Sequence, residues 1–415
     1  MKEEYSHKDF TIPSLDTDAI DRSFQFQKYI DQLKNHDHEI YWIEACSALT
    51  PIMKIKDNRS GNVKDVISFV SNDYLGMSQR KETIQAGIDA LYKYGTGVCA
   101  APIIGGYLDI HKELENKIAQ FTGQEDALLF SSGFGTNVGT LNALLGKNDL
   151  ALVDTGVHSS VLDGLRGTNV KYIGHNDLDY LDFCLGKVRG NYKTIVVIVD
   201  GVYSQDGDLG LIPEINIICK KHKVILLVDD AHGIGVFGNN GRGIAEHYNI
   251  LGEIDIITGT LSKSFGSVGG FVAGSKQMIQ YLRYYANTTV FSASIIPQVT
   301  CSVLKALEII NAEPQVRNKL WDNVNYLRKR LQEEGFSTGQ SVSPIFPILI
   351  RDDYKVKEVT RLLLEDNIYT IGIVYPAVRS KDARIRISVT TSHEISQLDK
   401  LVSSLCKINE RLSFK

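Results

Sequence analysis

The chain has no apolar run approaching the roughly 20 residues that a membrane helix needs. Its first residues, Met1-Lys-Glu-Glu-Tyr-Ser-His-Lys8, hold no apolar segment of the kind a signal peptide carries. The cysteines Cys46, Cys99, Cys184, Cys219, Cys301 and Cys406 are scattered, with no Cys-x-x-Cys pair. That argues against a disulfide framework and a zinc site, so no metal is expected, and a reducing cytoplasm is the expected location. Positive charge is not in excess: 45 Lys and Arg stand against 49 Asp and Glu, a formal net charge of −4, and nothing points to nucleic acid. There is no internal repeat and no low-complexity tract. What remains is a 415-residue chain of ordinary globular composition, long enough for two or three domains and a sizeable core.

The stretch from Lys223 to Gly270 is the most informative. Val224-Ile-Leu-Leu-Val228 runs into Asp229-Asp230-Ala231-His232, and Asp255-Ile-Ile257 runs into Thr258-Gly-Thr260-Leu-Ser262-Lys263. Each apolar run reads as a buried strand. Each ends in polar residues that would sit at the carboxyl edge of a sheet, where open α/β folds bind ligands. Standing alone, a lysine in Ser-Lys-Ser is a solvated loop residue, and an Asp after a strand is a cap or turn residue. Together they are what pyridoxal phosphate requires: Lys263 to form the Schiff base, and Asp229 to keep the pyridine nitrogen protonated so that the ring acts as an electron sink. Gly266, Gly269 and Gly270 keep the backbone around the amine bare.

Upstream, the strand Ala127–Phe130 turns through Ser131-Ser132-Gly133-Phe134-Gly135 into a helix. A Gly-rich turn opening a helix makes an anion site from free amides and the helix dipole. The cofactor phosphate is assigned to the amides of Gly133 and Phe134, with Thr260 and Ser262 as candidate hydroxyl donors, although such turns also occur with no ligand. Thr194–Val199 is the clearest buried strand, and Asp200 after it reads equally as a turn cap. Leu114, Ile118 and Phe121 mark one face of a helix that Asp109 would cap and Gly123 would end. Gly233-Ile-Gly235-Val-Phe-Gly238 spells a dinucleotide fingerprint, but polar residues separate it from the strand and no apolar helix follows, so a nicotinamide enzyme is set aside.

Asp229-Asp-Ala-His232, Gly259-Thr-Leu-Ser-Lys263 and Ser71-Asn-Asp-Tyr-Leu-Gly76 resemble the α-oxoamine synthase family of pyridoxal phosphate enzymes, of fold type I. The likeness runs in order over roughly residues 40 to 405. Leu108-Asp-Ile-His111 and Leu304–Ile310 look most like the bacterial serine palmitoyltransferases among its members. The resemblance implies an α/β, aminotransferase-like fold, with a mostly parallel central sheet flanked by helices and a small α+β C-terminal domain. It implies an N-terminal arm over 1–60, a cofactor-binding domain over 61–305 and a small domain over 306–415; residues 1 to about 25 are polar and aperiodic, and a mobile arm is expected there. It also implies that His158 stacks on the pyridine ring, that Ser204 and His232 lie by the phenolic oxygen, and that Asn72 and Arg386 hold the substrate carboxylate. Read without the resemblance, His158 at a strand end is structural, Asn72 is a turn residue and Arg386 is a surface arginine. Thr289–Ser294, with Ser292, resembles a segment reaching the neighbouring subunit's phosphate, which implies a homodimer with shared active sites.

The implied reaction joins an amino acid to a fatty acyl thioester of coenzyme A or acyl carrier protein, with loss of carbon dioxide. Serine is favoured, giving a 3-keto long-chain base as in sphingolipid synthesis; such a product would bring the enzyme to the inner membrane surface. Two departures open an alternative. Ala100-Ala101-Pro102 stands where the family usually has Gly-Ser-Arg, and Arg379 stands where it usually has proline; Arg384 lies two residues before Arg386, on the same face of a strand. The added charge would suit the sulfonate of cysteate, as in sulfonolipid synthesis. Glycine or alanine with a shorter acyl chain, an ordinary aminotransferase and a non-catalytic partner subunit are further alternatives; the last lacks the lysine, and Lys263 is present.

Overall fold

The structure, a computed structural model, describes Ser6, residues 8–11 and residues 17–415. Two units emerge, residues 72–321 and, separately, the residues up to Ser71 with Asp322–Lys415. Much of the arm expected over residues 1 to 25 (residues 1–5, 7 and 12–16) lies outside the described residues. The helix Ala19–Asn35 nevertheless starts inside it, because Asp18 accepts the amides of Ile20 and Asp21 and caps its first turn.

In the second of these units, β1 (Ile52–Lys56) and β2 (Val63–Ser68) form an antiparallel pair. Met53 and Ile55 alternate with exposed neighbours and pack with Val66, the period of two expected of a half-buried strand.

Residues 72–321 carry a seven-stranded sheet built from β3 (Asp126–Phe130), β4 (Leu150–Asp154), β5 (Asn169–Ile173), β6 (Ile195–Asp200), β7 (Ile225–Asp229), β8 (Ile256–Thr260) and β9 (Gly270–Gly274), in the order β3-β9-β8-β7-β6-β4-β5. Strands β4 to β8 are parallel, and β9 runs antiparallel to both β8 and β3. Every residue of β4 and β6 is buried, which explains their continuous apolar runs. Helices close over the sheet, and Leu128, Phe130, Leu141, Val153, Val196, Leu227 and Val272 belong to one core cluster.

Two strands of this sheet were not anticipated. β5 is an edge strand with a polar, mostly exposed sequence. β9 is Gly270-Phe-Val-Ala-Gly274, and the first of its glycines is required by packing: a Cβ on Gly270 would lie 2.7 Å from Gly133 Cα. One cap is also corrected. Leu108, not Asp109, precedes the helix Asp109–Thr122, and His111 Nδ1 accepts the Leu108 amide; Asp109 is the first helical residue. Gly123 ends that helix at φ +73°.

The remaining strands, β10 (Ile345–Leu349), β11 (Ile368–Tyr369), β12 (Ile371–Ile373) and β13 (Arg384–Ser388), complete the unit that includes β1 and β2. β11 joins β2, and β13 lies between β10 and β12. The long helix Pro314–Glu333 is followed by Gly335 at φ +72°, and Ile395–Leu412 forms the last helix. Among the described residues no helix is long and apolar enough to cross a membrane.

His393 links distant parts of this unit. Nε2 donates to Ser68 O at 2.9 Å, Nδ1 accepts the Thr390 amide at 3.0 Å, and the ring stacks on Phe69 with centroids 4.6 Å apart. A proton on Nδ1 would face that amide N–H. Burial accordingly pushes His393 down from 6.5 to about 4. A depressed pKa favours the native state above the unfolded value and is lost as pH falls, here between about 6.5 and 4, with a ceiling of about 3 kcal/mol. The urea midpoint is therefore expected to fall on acidification through that window, and His393→Asn to flatten this part of the slope; an unchanged slope would contradict the assignment.

Candidate active site

The parallel register of β6, β7 and β8 sets Asp200, Asp229 and Thr258 side by side at one sheet edge. Asp229 is held by both oxygens. Oδ2 accepts from Asn137 Nδ2 at 2.6 Å, and Oδ1 accepts the Ala231 amide at 3.0 Å. The same Asn137 amide donates to Ser160 Oγ at 2.9 Å, and the Ser160 hydroxyl faces His158 Nδ1 at 2.7 Å. The chain Asn137–Ser160–His158 thus has one consistent direction and places the histidine proton on Nε2. Burial lowers the His158 pKa, and the nearby Lys263 charge lowers it further against the opposing pull of Asp229, so the ring is neutral. Asp200 and Asp230 are fully buried beside it. Burial pushes Asp230 up to about 8 and Asp200 well above the usual carboxylate range.

Lys263 lies in the loop after β8. The Gly266 amide donates to its carbonyl at 2.8 Å, and the Leu261 amide to Gly269 O at 2.9 Å. Gly266, at φ +64°, packs so tightly that a Cβ would lie 2.2 Å from Ser78 N. No side chain fits there, which explains the glycine after the lysine.

Gly133, Phe134, Asn137, His158, Asp200, Ser204, Asp229, His232, Thr260, Ser262 and Lys263 line one cleft of about 250 Å³. Its chemistry suits a phosphorylated pyridine. The helix Gly133–Leu144 points its N-terminus at it, with Ser132 as cap accepting the Gly135 amide. Among the described residues no acceptor meets the amides of Gly133 and Phe134, so they are available to an anion. Thr260 Oγ1 and Ser262 Oγ pair at 2.8 Å on the opposite side. A Cβ on Gly133 would lie 2.9 Å from Thr260 Oγ1, so a bare turn keeps this cup open. Buried Asn137 Oδ1, Asp200 Oδ1 and Thr258 Oγ1 have no hydrogen-bond partner among the described residues, the state expected of a site shaped for a polar guest. The residues fit the group.

Other expected residues lie elsewhere. Asn72 Oδ1 faces the Tyr74 hydroxyl at 3.4 Å, and that hydroxyl meets His232 Nδ1 at 2.8 Å. Asn72 is therefore coupled to the cleft through a tyrosine the sequence reading passed over. Ser292 is half-buried, donates to Ala293 O and does not line the cleft. In the other unit, Arg384 and Arg386 are buried on β13, and Arg384 Nε donates to Asp382 O at 2.7 Å. Arg379 is exposed and ion-paired to Asp382. Asn137, Ser160 and Tyr74 were not singled out from the sequence. The one available signal was Asn137, four residues after Gly133 and so one helical turn inside the phosphate helix. Asp200 proves to be a buried cleft residue rather than a turn cap.

Residues 64–405 match the family described as aminotransferase class I and II. The chain is 42% identical over 347 residues to a serine palmitoyltransferase of Sphingobacterium spiritivorum, covering 83% of this chain and 87% of that one. It is 39% identical over 352 residues to an 8-amino-7-oxononanoate synthase of Thermoanaerobacter pseudethanolicus, covering 84% and 89%. Its structure is similar to that of serine palmitoyltransferase from S. paucimobilis with bound PLP and myriocin, at TM-score 0.90 and 27% identity over 96% of this chain and 100% of that one.

A hydrogen bond to a charged group contributes about 1.5–3 kcal/mol. Asn137→Ala, which strips a donor from Asp229, is expected to weaken pyridoxal phosphate binding about ten- to hundredfold, measured by equilibrium dialysis. Ser160→Ala, which frees only His158, should weaken it less. Unchanged binding in Asn137→Ala would remove the residue from the site.

Proposed function

The chain belongs to the aminotransferase class I and II family as a pyridoxal phosphate-dependent α-oxoamine synthase, an acyltransferase, and on that footing we propose that it condenses L-serine with a long-chain fatty acyl thioester to give a 3-keto long-chain base. The observation that carries the reading is the convergence of Lys263, Asp229 and His158 in one cleft. Pyridoxal phosphate, when bound, supplies an electron sink for negative charge at the substrate α-carbon. Asp229, fixed by Asn137, holds the proton on the pyridine nitrogen. His158, neutral and oriented by Ser160, would cover one face of the cofactor ring and exclude water from it. The Gly133 and Phe134 amides, with Thr260 and Ser262, hold the phosphate. Lys263 Nζ anchors the cofactor and takes the α-proton. His232, oriented by Tyr74, would lie with Ser204 by the cofactor's phenolic oxygen and donate towards the acyl carbonyl. The α-carbon then bonds to the acyl carbon, the thiol leaves, the carboxylate departs as carbon dioxide, and the α-carbon takes up a proton in its place, returned from Lys263 Nζ. Asn72 and Arg386 are assigned to the substrate carboxylate, for which a planar guanidinium is suited.

The 42% identity to a serine palmitoyltransferase favours serine. A second reading, cysteate, is favoured by the Ala100-Ala101-Pro102 loop and by a second buried arginine, Arg384, on the strand that carries Arg386. Titration of the near-visible absorption with L-serine, L-cysteate, glycine and L-alanine separates them. Serine is expected to shift the band and support thioester-dependent carbon dioxide release. A response to cysteate alone would replace serine by cysteate, and one to glycine or alanine alone would point to the short-chain chemistry. Lys263→Ala is expected to lack the lysine-bound cofactor's band and to lose activity by about a thousandfold or more; an active variant would overturn the mechanism.

A homodimer with shared sites is supported by apolar exposure on the 72–321 unit, where Phe291 is 83%, Tyr92 88% and Ile104 75% exposed. Ser292, next to Phe291, is assigned to the partner's phosphate. Phe291→Asp is expected to sediment as an inactive monomer. A fully active monomer would contradict shared sites.

A further inference from the structure

His175 lines no part of the cleft, yet it sits between the two turns that feed it. Nδ1 is 3.2 Å from Asp154 Oδ1, and Nε2 is 2.7 Å from Asp208 Oδ2. Both ring nitrogens therefore face carboxylate oxygens, which the doubly protonated ring satisfies by donating to each, with Asn176 Nδ2 3.4 Å from Nε2. The hydrogen bonds to Asp154 and Asp208 outweigh burial and push its pKa up to about 10, so the ring carries charge throughout the neutral range.

The two carboxylates belong to different turns. Asp154, the last residue of β4 and 1% exposed, accepts the Gly156 amide at 2.7 Å and the Asn176 amide at 2.9 Å. It thereby shapes the short turn ending at His158, whose own amide donates to Asp200. Asp208 closes the turn that carries Ser204. Its carbonyl accepts the Tyr203 amide at 3.0 Å, and Val202 bridges Leu209 across the base. The Tyr203 ring packs edge-on against His175 with centroids 4.3 Å apart, and a Cβ on Gly156 would strike that ring at 2.8 Å. Asn176 adds a second strut: its side chain donates to Leu209 O at 3.0 Å and accepts the Leu211 amide at 3.1 Å. Among the described residues the ladder between β4 and β6 ends at Val153 and Ile198, so beyond it the separation of the two turns is set by side chains.

We propose that His175 is a positioning residue for the active site, a cationic clamp that grips Asp154 and Asp208 and so fixes His158 and Ser204 relative to each other. The inference rests on the reading of His158 as the ring-stacking residue. Residues that orient a contacting group act by preorganisation, and small displacements of such a group are costly in rate.

The test uses the holoenzyme with His175→Gln, His158→Ala and the double variant. His175→Gln is expected to lower kcat about tenfold, to shift the near-visible band and to raise the cofactor Kd, with KM for the acyl thioester unchanged. In the His158→Ala background it is expected to add little, because the pathway already lacks its end. A wild-type spectrum, kcat and cofactor Kd in His175→Gln overturn the clamp, as does an equal loss in both backgrounds. If His158→Ala itself leaves spectrum and cofactor binding intact, the stacking assignment fails instead, and the route to His158 with it. Should His175→Gln not fold, Asp208→Asn, which alters one acceptor at the rim, carries the same comparison with a smaller loss in the same direction; no loss there overturns the proposal.

Discussion

The parallel register of β6, β7 and β8 is the constraint on which the site depends. It brings Asp200, Asp229 and Thr258 to one row at the sheet edge, where the following loops add His232 and Lys263. Three acids, Asp200, Asp229 and Asp230, crowd that edge in near-complete burial. Such a cluster cannot remain fully ionised. Burial raises Asp200 and Asp230, while Asp229 alone receives both the Asn137 side-chain amide and a backbone amide. Asp229 is thus the acid of the three whose two oxygens both accept hydrogen bonds, whereas Asp200 Oδ1 and Asp230 Oδ1 have no partner among the described residues.

Close backbone approach is the second device. Gly133, Gly266 and Gly270 lie where any Cβ would collide with a strand or turn. The contacts of Gly133 and Gly270 press the first turn of the helix Gly133–Leu144 against β8 and β9, so that its open amides and the hydroxyls of Thr260 and Ser262 border the same space. The glycines thus serve packing and anion access at once.

The histidines show how strongly context sets chemistry on one scaffold. His158 and His393 are driven towards neutrality by burial, one over a cleft and one inside a polar joint. His175 is driven the opposite way by two carboxylates. No local feature of the sequence separates the three, since what differs is which loops converge on each ring.

The sequence by itself determined the fold class, the identity of the central strands and the residues that end them. A run of β-branched and leucine residues buried on both faces, closed by a polar cluster, has few other solutions in a chain of this length. It also marked Asp229, Lys263 and the Gly133 turn, because their residue types are tied to particular chemistry. What it did not determine lay in long-range packing. The glycine-rich β9 is a strand only because β3 and β8 flank it, and polar β5 only because it pairs at an edge. Asn137, Ser160, Tyr74 and His175 are ordinary letters until folding joins residues 137 to 229, 74 to 232, and 154 to 175 and 208. Hydrogen bonds across such separations depend on where the chain returns, and only the tertiary structure decides that.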